Sequence, residues 1–298
     1  MYICIKIFKM QFLLYILLYP ISWCISMLPF RILYIVSDGV YVLTYYIIGY
    51  RKKTVRENLA LALPHLSEKE RLVIEKKSFR HMCDVFLEMI KTLTISKSEM
   101  DKRYVFNNLE VYSDLEKKGK SIALLCAHYA SYEWAVSMNH KITFEGYAVY
   151  KKINNRYFDK LVRDIRSKFK ATLITTKETI PVMASNFRSK KLGLYGLVSD
   201  QSPKLGSFFH WNTFMGIEVP IHTGGEMLAK KYDMNVIFLR TKKVKRGYYE
   251  ATFEVLSDNA KEVPNYEITD QFLKLVEQQI YDQPEFYLWS HKRWKHRR

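Results

Sequence analysis

Glycine and cysteine are scarce in this sequence, and acidic residues fall well short of basic ones. Eleven glycines in 298 residues exclude collagen-like and other Gly-rich repetitive architectures. The four cysteines, Cys4, Cys24, Cys83 and Cys126, form no C-x-x-C pair and no zinc-type spacing with histidine. Thiols scattered so thinly read as reduced and cytoplasm-facing, which sets aside a disulfide scaffold. Thirty Asp and Glu stand against 47 Lys and Arg, giving a formal charge of +17 and a pI near 9.5. That imbalance says nothing of fold, but it favours anionic partners: nucleic acid, anionic lipid or an acidic protein. Internal repeats and low-complexity tracts are also missing.

Apolar and aromatic residues are plentiful. Hydrophobic residues make up 48% of the chain, enough for a real core, and wholesale disorder is excluded. Aromatics reach 15%, with 22 Tyr and 17 Phe, a bias that suits membrane interfaces as well as cores.

The apolar residues crowd the N-terminus. Gln11 to Phe30 carries no charge, and about twenty helical residues just span a hydrocarbon core of roughly 30 Å. After Arg31 a second apolar stretch runs to Tyr50, broken by Asp38 and Gly39, and Arg51-Lys52-Lys53 with Arg56 follows. Such a basic cluster is placed to hold anionic headgroups. Lys6 and Lys9 resemble the start of a signal peptide, but no small-x-small cleavage site follows. The expectation is a retained membrane-anchoring or interfacial segment over 1–50, then a single α/β domain over 51–298. The bland alternative is a buried helix pair of a soluble domain, and the second stretch could cross the bilayer or lie in its interface.

Residues 54–93 read as helical with a break at Pro64. Ser67 with Glu70 three residues on forms a capping-box signature, and Phe79, Met82, Cys83, Phe86, Leu87 and Ile90 recur at helical spacing. Beyond Gly119, short apolar runs at 121–126, 146–150, 171–174, 192–198, 236–239 and 248–255 predict strands. Helices are predicted at 155–169, 180–187, 224–232 and 269–281. The alternation predicts a mostly parallel sheet flanked by helices.

The run 121–126 leads into Cys126-Ala127-His128, with Glu133 five residues after the histidine. A histidine at the carboxyl end of a buried strand lies where α/β proteins place their sites. A carboxylate in the first turns of a following helix could swing back to fix its tautomer, as a general base requires. Cys126, two residues away on the strand, offers a rival reading as a nucleophile, for instance in a thioesterase. The C-terminal stretch 291–298 is densely basic around Trp294, either a solvated tail or an anion contact.

Several blocks carry a family resemblance. They are 29–38 (PFRILYIVSD), 50–59 (YRKKTVRENL), 81–91 (HMCDVFLEMIK), 127–134 (AHYASYEW), 198–203 (VSDQSP) and 284–295 (PEFYLWSHKRWK). In this order, the sequence resembles the late acyltransferases of lipid A biosynthesis, the lauroyl/myristoyl acyltransferase family. More closely, it is similar to the Bacteroidetes-type versions labelled lysophospholipid acyltransferase family. The resemblance implies a glycerolipid-acyltransferase-like α/β fold. It also implies transfer of a fatty acyl group from an acyl carrier protein thioester to a hydroxyl of a lipid acceptor. In that reaction His128 would be the general base, oriented by Glu133, without an acyl-enzyme. Arg166 would stabilise the oxyanion, with Lys151 and Arg156 of the same block and Asp200-Gln201 bordering the substrate pocket. No cofactor or metal is implied. The implied partners are acyl carrier protein, a lipid A precursor and the inner membrane, with catalysis on its cytoplasmic face; a lysophospholipid or amino-acid lipid is the alternative acceptor. Ala127 in place of the usual Gly, and His222 where a small hydroxyl residue is common, depart from the pattern. A basic membrane-associated nucleic-acid binder is the remaining rival, but no helix-turn-helix, RNA-binding sheet motif or zinc finger supports it.

Overall fold

A computed structural model of the protein describes residues 15, 16, 18–204, 206 and 209–298. The first part of the uncharged run, with Lys6, Lys9 and Cys4, lies outside the described residues.

Two apolar helices lead the chain. Helix α1 ends at residue 27, and α2 (Phe30–Val42) continues through one π-helical stretch, Leu43–Ile48. Gly49 at φ 66° ends it, a left-handed cap for which glycine has no Cβ penalty. Then come α3 (Lys52–Ala62) and α4 (Glu68–Lys91). The predicted capping box opens α4: Ser67 Oγ accepts from the Glu70 backbone N–H, and Glu70 accepts from the Ser67 N–H. Helix α4 is the spine against which both leading helices rest. Lys91 Nζ donates to the carbonyls of Ser26 and Leu28 at 2.6 and 2.8 Å, while Leu33 of α2 packs with Leu87 and Ile90.

The rest is a seven-stranded mixed sheet with helices around it, as the alternation predicts. Its order is β1-β9-β8-β2-β5-β3-β4, with β1 (Tyr104–Phe106), β2 (Ile122–Cys126), β3 (Glu145–Tyr150), β4 (Thr172–Thr175), β5 (Gly193–Val198), β8 (Asn235–Lys245) and β9 (Tyr248–Ser257). All neighbours are parallel except β8–β9. Every residue of β2 is buried, which is why it reads as a continuous apolar run. Helices α5 (Lys97–Arg103), α6 (Leu109–Lys117), α7 (Arg156–Arg166), α8 (Thr179–Arg188), α9 (Gly224–Lys231) and α10 (Glu267–Asp282) complete the chain.

Three local differences from the sequence reading have physical causes. Strands β6 (Phe209–Phe214) and β7 (Ile217–His222) form a separate hairpin that the apolar pattern does not announce. Its two-residue loop, Met215-Gly216, has both φ positive (55° and 76°), the twist a tight hairpin needs, and Met is an unusual occupant. After β2 the chain forms a 3₁₀ segment, Tyr132–His140, where an α-helix is predicted; Ala130 at φ 48° turns the chain first. The basic C-terminus is a strap packed into the fold, with Trp289, Arg293 and Trp294 each 1% exposed. Leu288 donates to the His128 carbonyl at 3.1 Å, and Ala130 to the Phe286 carbonyl at 2.9 Å.

Buried charge locks α2, α4 and the β8–β9 turn together. Arg246 holds Asp84 of α4 through both Nε (3.0 and 3.1 Å) and Nη2 (2.6 Å), and grips Asp38 of α2 at 2.9 and 3.0 Å. Glu88, fully buried, accepts from the hydroxyls of Tyr34 and Tyr249 at 2.8 and 2.9 Å. Buried ions are tolerated only with such full complements of partners.

Candidate active site

Strands β2 and β5 are adjacent and parallel, with Cys126 opposite Val198. His128 and Asp200 each lie two residues beyond that pair, so the register sets them side by side. The Ser199 N–H donates to the Cys126 carbonyl at 3.1 Å, extending the ladder into the loops. Asp200, 1% exposed, then accepts twice on Oδ1: from the His128 backbone N–H at 3.1 Å and from ring Nδ1 at 2.7 Å. The buried Tyr287 hydroxyl of the strap also faces Asp200. Burial pushes the Asp200 carboxyl up, but the charge and hydrogen bonds of His128 outweigh it and hold it below the usual carboxylate range. An ionised Asp200 makes His128 Nδ1 the protonated nitrogen and leaves the ring's lone pair on Nε2. The Gln201 side-chain nitrogen stands 3.2 Å from that Nε2.

This placement corrects one expectation. Glu133 does not orient His128, because both ring nitrogens already face other groups. Glu133 instead takes Arg166 in a two-pronged pair, Oε2 with Nε at 2.8 Å and Oε1 with Nη2 at 2.5 Å. The 3₁₀ turn, not an α-helix, carries Glu133 toward the end of α7, where Arg166 sits. The Arg166 guanidinium is pushed down by burial but raised overall by Glu133.

His128 and Glu133 share the wall of one cavity of about 150 Å³. Met82, Val85, Phe86 and Met89 of α4 form its apolar side, and Tyr287, Leu288 and Trp289 of the strap close it. His128 keeps 18% of its side chain exposed and is therefore reachable. Lys151 and Arg156 are exposed outside this lining, at the end of β3 and the start of α7; Arg156 lies over the Tyr157 ring at 4.5 Å. In the sequence, 81–91 shows helical spacing and 284–295 a basic, aromatic stretch, and both carry the resemblance; that the two meet as walls of one cavity shows only in the structure.

Among the described cysteines, Cys24, Cys83 and Cys126 are free. Cys126 is fully buried, and burial with the nearby Asp200 and Glu133 charges pushes its thiol up to about 12. A thiol so held is not a nucleophile at neutral pH. Alkylation of the folded protein with iodoacetamide near neutral pH should therefore modify the exposed Cys24 and spare Cys126, read by peptide mass spectrometry; rapid native labelling of Cys126 would revive the cysteine mechanism. His222, the second departure, accepts the Gly224 N–H on Nδ1 at 3.1 Å. A Cβ at Gly224 would come within 2.7 Å of that ring, so the two residues are matched.

The family model for the bacterial lipid A biosynthesis acyltransferases matches residues 6–296. The chain is 22% identical over 278 residues to the lipid A biosynthesis lauroyltransferase of Escherichia coli strain K12, covering 93% of this chain and 90% of that protein. Since that model matches the chain nearly end to end, the chain belongs to the bacterial lipid A biosynthesis acyltransferase family.

Proposed function

We propose that the protein transfers a fatty acyl group from an acyl carrier protein thioester to a hydroxyl of a lipid A precursor, at the cytoplasmic face of the inner membrane. The observation that carries this reading is His128, its Nδ1 held by buried Asp200 and its ring in the wall of a mainly apolar cavity. The acceptor hydroxyl gives its proton to Nε2 as its oxygen attacks the thioester carbonyl. A C–O bond forms and the carbonyl becomes a tetrahedral oxyanion. When the C–S bond breaks, the imidazolium returns the proton to the leaving sulfur. No bond to the enzyme is required. Gln201, beside Nε2, is placed to hydrogen-bond the arriving hydroxyl. Arg166 is the proposed oxyanion donor, since Glu133 engages two of the five N–H groups a guanidinium carries. Glu133 then serves the reaction by aiming Arg166. Lys151 and Arg156, exposed and basic, are assigned to the acidic carrier protein or the acceptor phosphates.

The test is an in vitro transfer reaction with detergent-purified protein and acyl carrier proteins of several chain lengths. Lipid A precursor and a lysophospholipid compete as acceptors, and mass spectrometry reads the products. One added acyl chain on the precursor is the expected result. Acylation of the lysophospholipid alone would move the acceptor to the alternative class, and no product from folded enzyme would overturn the reading.

A further inference from the structure

Helix α2 and its π-helical extension are inside out for a surface element. The side facing the domain buries Leu33, Ser37, Tyr41 and Tyr45 at four-residue spacing, and all but Leu33 carry a hydroxyl. Ser37 donates to Asp84 at 2.7 Å and Tyr45 to Glu75 at 2.8 Å, and Asp38 is held by Arg246. The opposite stripe, Ile32, Ile35, Val42, Leu43, Tyr46 and Ile47, is exposed and uncharged, with Ile35 at 70% and Ile47 at 73%. A water-facing stripe would be polar, and a helix crossing a bilayer would not be fixed along its length by ion pairs to a globular domain. The 19-residue segment Phe30–Ile48 is long and apolar enough to cross, yet one side of it belongs to the folded domain.

We propose that Phe30–Ile48 lies flat in one leaflet of an anionic bilayer, its outer stripe immersed to interfacial depth and its inner side locked to α4. Charge complementarity selects the lipid surface: Arg31 opens the segment and Arg51, Lys52 and Lys53 follow it, all exposed or half-buried, where anionic headgroups would be met; Arg56 is engaged by Glu75 at 2.9 Å. Helix α4 also supplies Met82, Val85, Phe86 and Met89 to the cavity, so the cavity stands one helix away from the lipid. The inference needs no catalytic reading and is tested without turnover.

The full-length protein, with Cys4→Ser and Cys24→Ser, carries one fluorophore at Ile35→Cys, Val42→Cys or Ile47→Cys. It is bound to phosphatidylcholine–phosphatidylglycerol vesicles containing lipids brominated at shallow or deep acyl positions. A flat helix places all three probes at shallow depth, with shallow quenching agreeing within about twofold, as expected for burial only ~5–10 Å below the surface. Omitting phosphatidylglycerol should weaken binding at least about tenfold. A depth gradient, or a deepest point at Val42, would show a crossing helix and overturn the proposal. Bound protein without quenching at these positions would mean the stripe is covered by protein, and failure to bind vesicles would overturn it equally. Ile35→Asp with Ile47→Asp should reduce vesicle binding about tenfold or more with an unchanged melting curve, because both sites are exposed.

Discussion

His128→Ala should lower acyl transfer by about 10³-fold, the usual range for a positioned general base, while the thermal midpoint stays close to that of the wild type. The ring is only partly buried, and its removal leaves the His128 backbone N–H on Asp200. Asp200→Asn is the sharper variant. Both His128 bonds fall on a single oxygen, Oδ1, so the amide oxygen of Asn can keep the tautomer and ring position. Only the negative charge that stabilises the imidazolium is lost. The expected cost is about 10²-fold or more in kcat/KM. Glu133→Gln should cost less, because it acts only through Arg166. If Glu133→Gln costs more than Asp200→Asn, the two carboxylates have been assigned the wrong way round.

The largest effect on stability should come from Arg246→Ala. Asp84 is 1% exposed and would lose its two-pronged partner, keeping the Ser37 hydroxyl at 2.7 Å and Lys243 at 3.7 Å. Stranding a buried charge costs about 3–5 kcal/mol. The remaining lysine and the part-exposed arginine place this variant at the lower end. For a chain of this size, a loss near 3 kcal/mol lowers the thermal midpoint by roughly 6–12 °C. Asp84→Asn combined with Arg246→Ala should recover part of the loss, because the stranded charge is gone; a double variant as unstable as the sum of the single ones would show that the pair is not coupled. Calorimetry in detergent reads all three proteins.

What the sequence determined is local. Unbroken apolar residues over 122–126 between turn residues fit a strand covered on both faces, and they announce β2 and place His128 at its carboxyl end. Ser67 and Glu70 contain both halves of their own cap, so the start of α4 is legible within four residues. The uncharged N-terminal run is legible by composition alone, although only its lower part falls within the described residues. The fate of Glu133 was not legible: five residues separate it from His128, but the backbone turn at Ala130 and the 3₁₀ geometry after it direct its carboxylate to Arg166, 33 residues on. Nor does the sequence show that the outer stripe of α2 stays bare, since exposure depends on Asp38, Ser37 and Tyr45 finding partners on α4 and the β8–β9 turn. The pairing of His128 with Asp200 was decided by tertiary structure in the strictest sense. Asp200 reads as a strand-end turn residue until β2 and β5 align in parallel with Cys126 opposite Val198. That register is fixed by burial of both strands in the sheet centre, because a one-residue slip would turn each side chain to the other face. It carries His128 and a carboxylate 72 residues later into a 2.7 Å hydrogen bond.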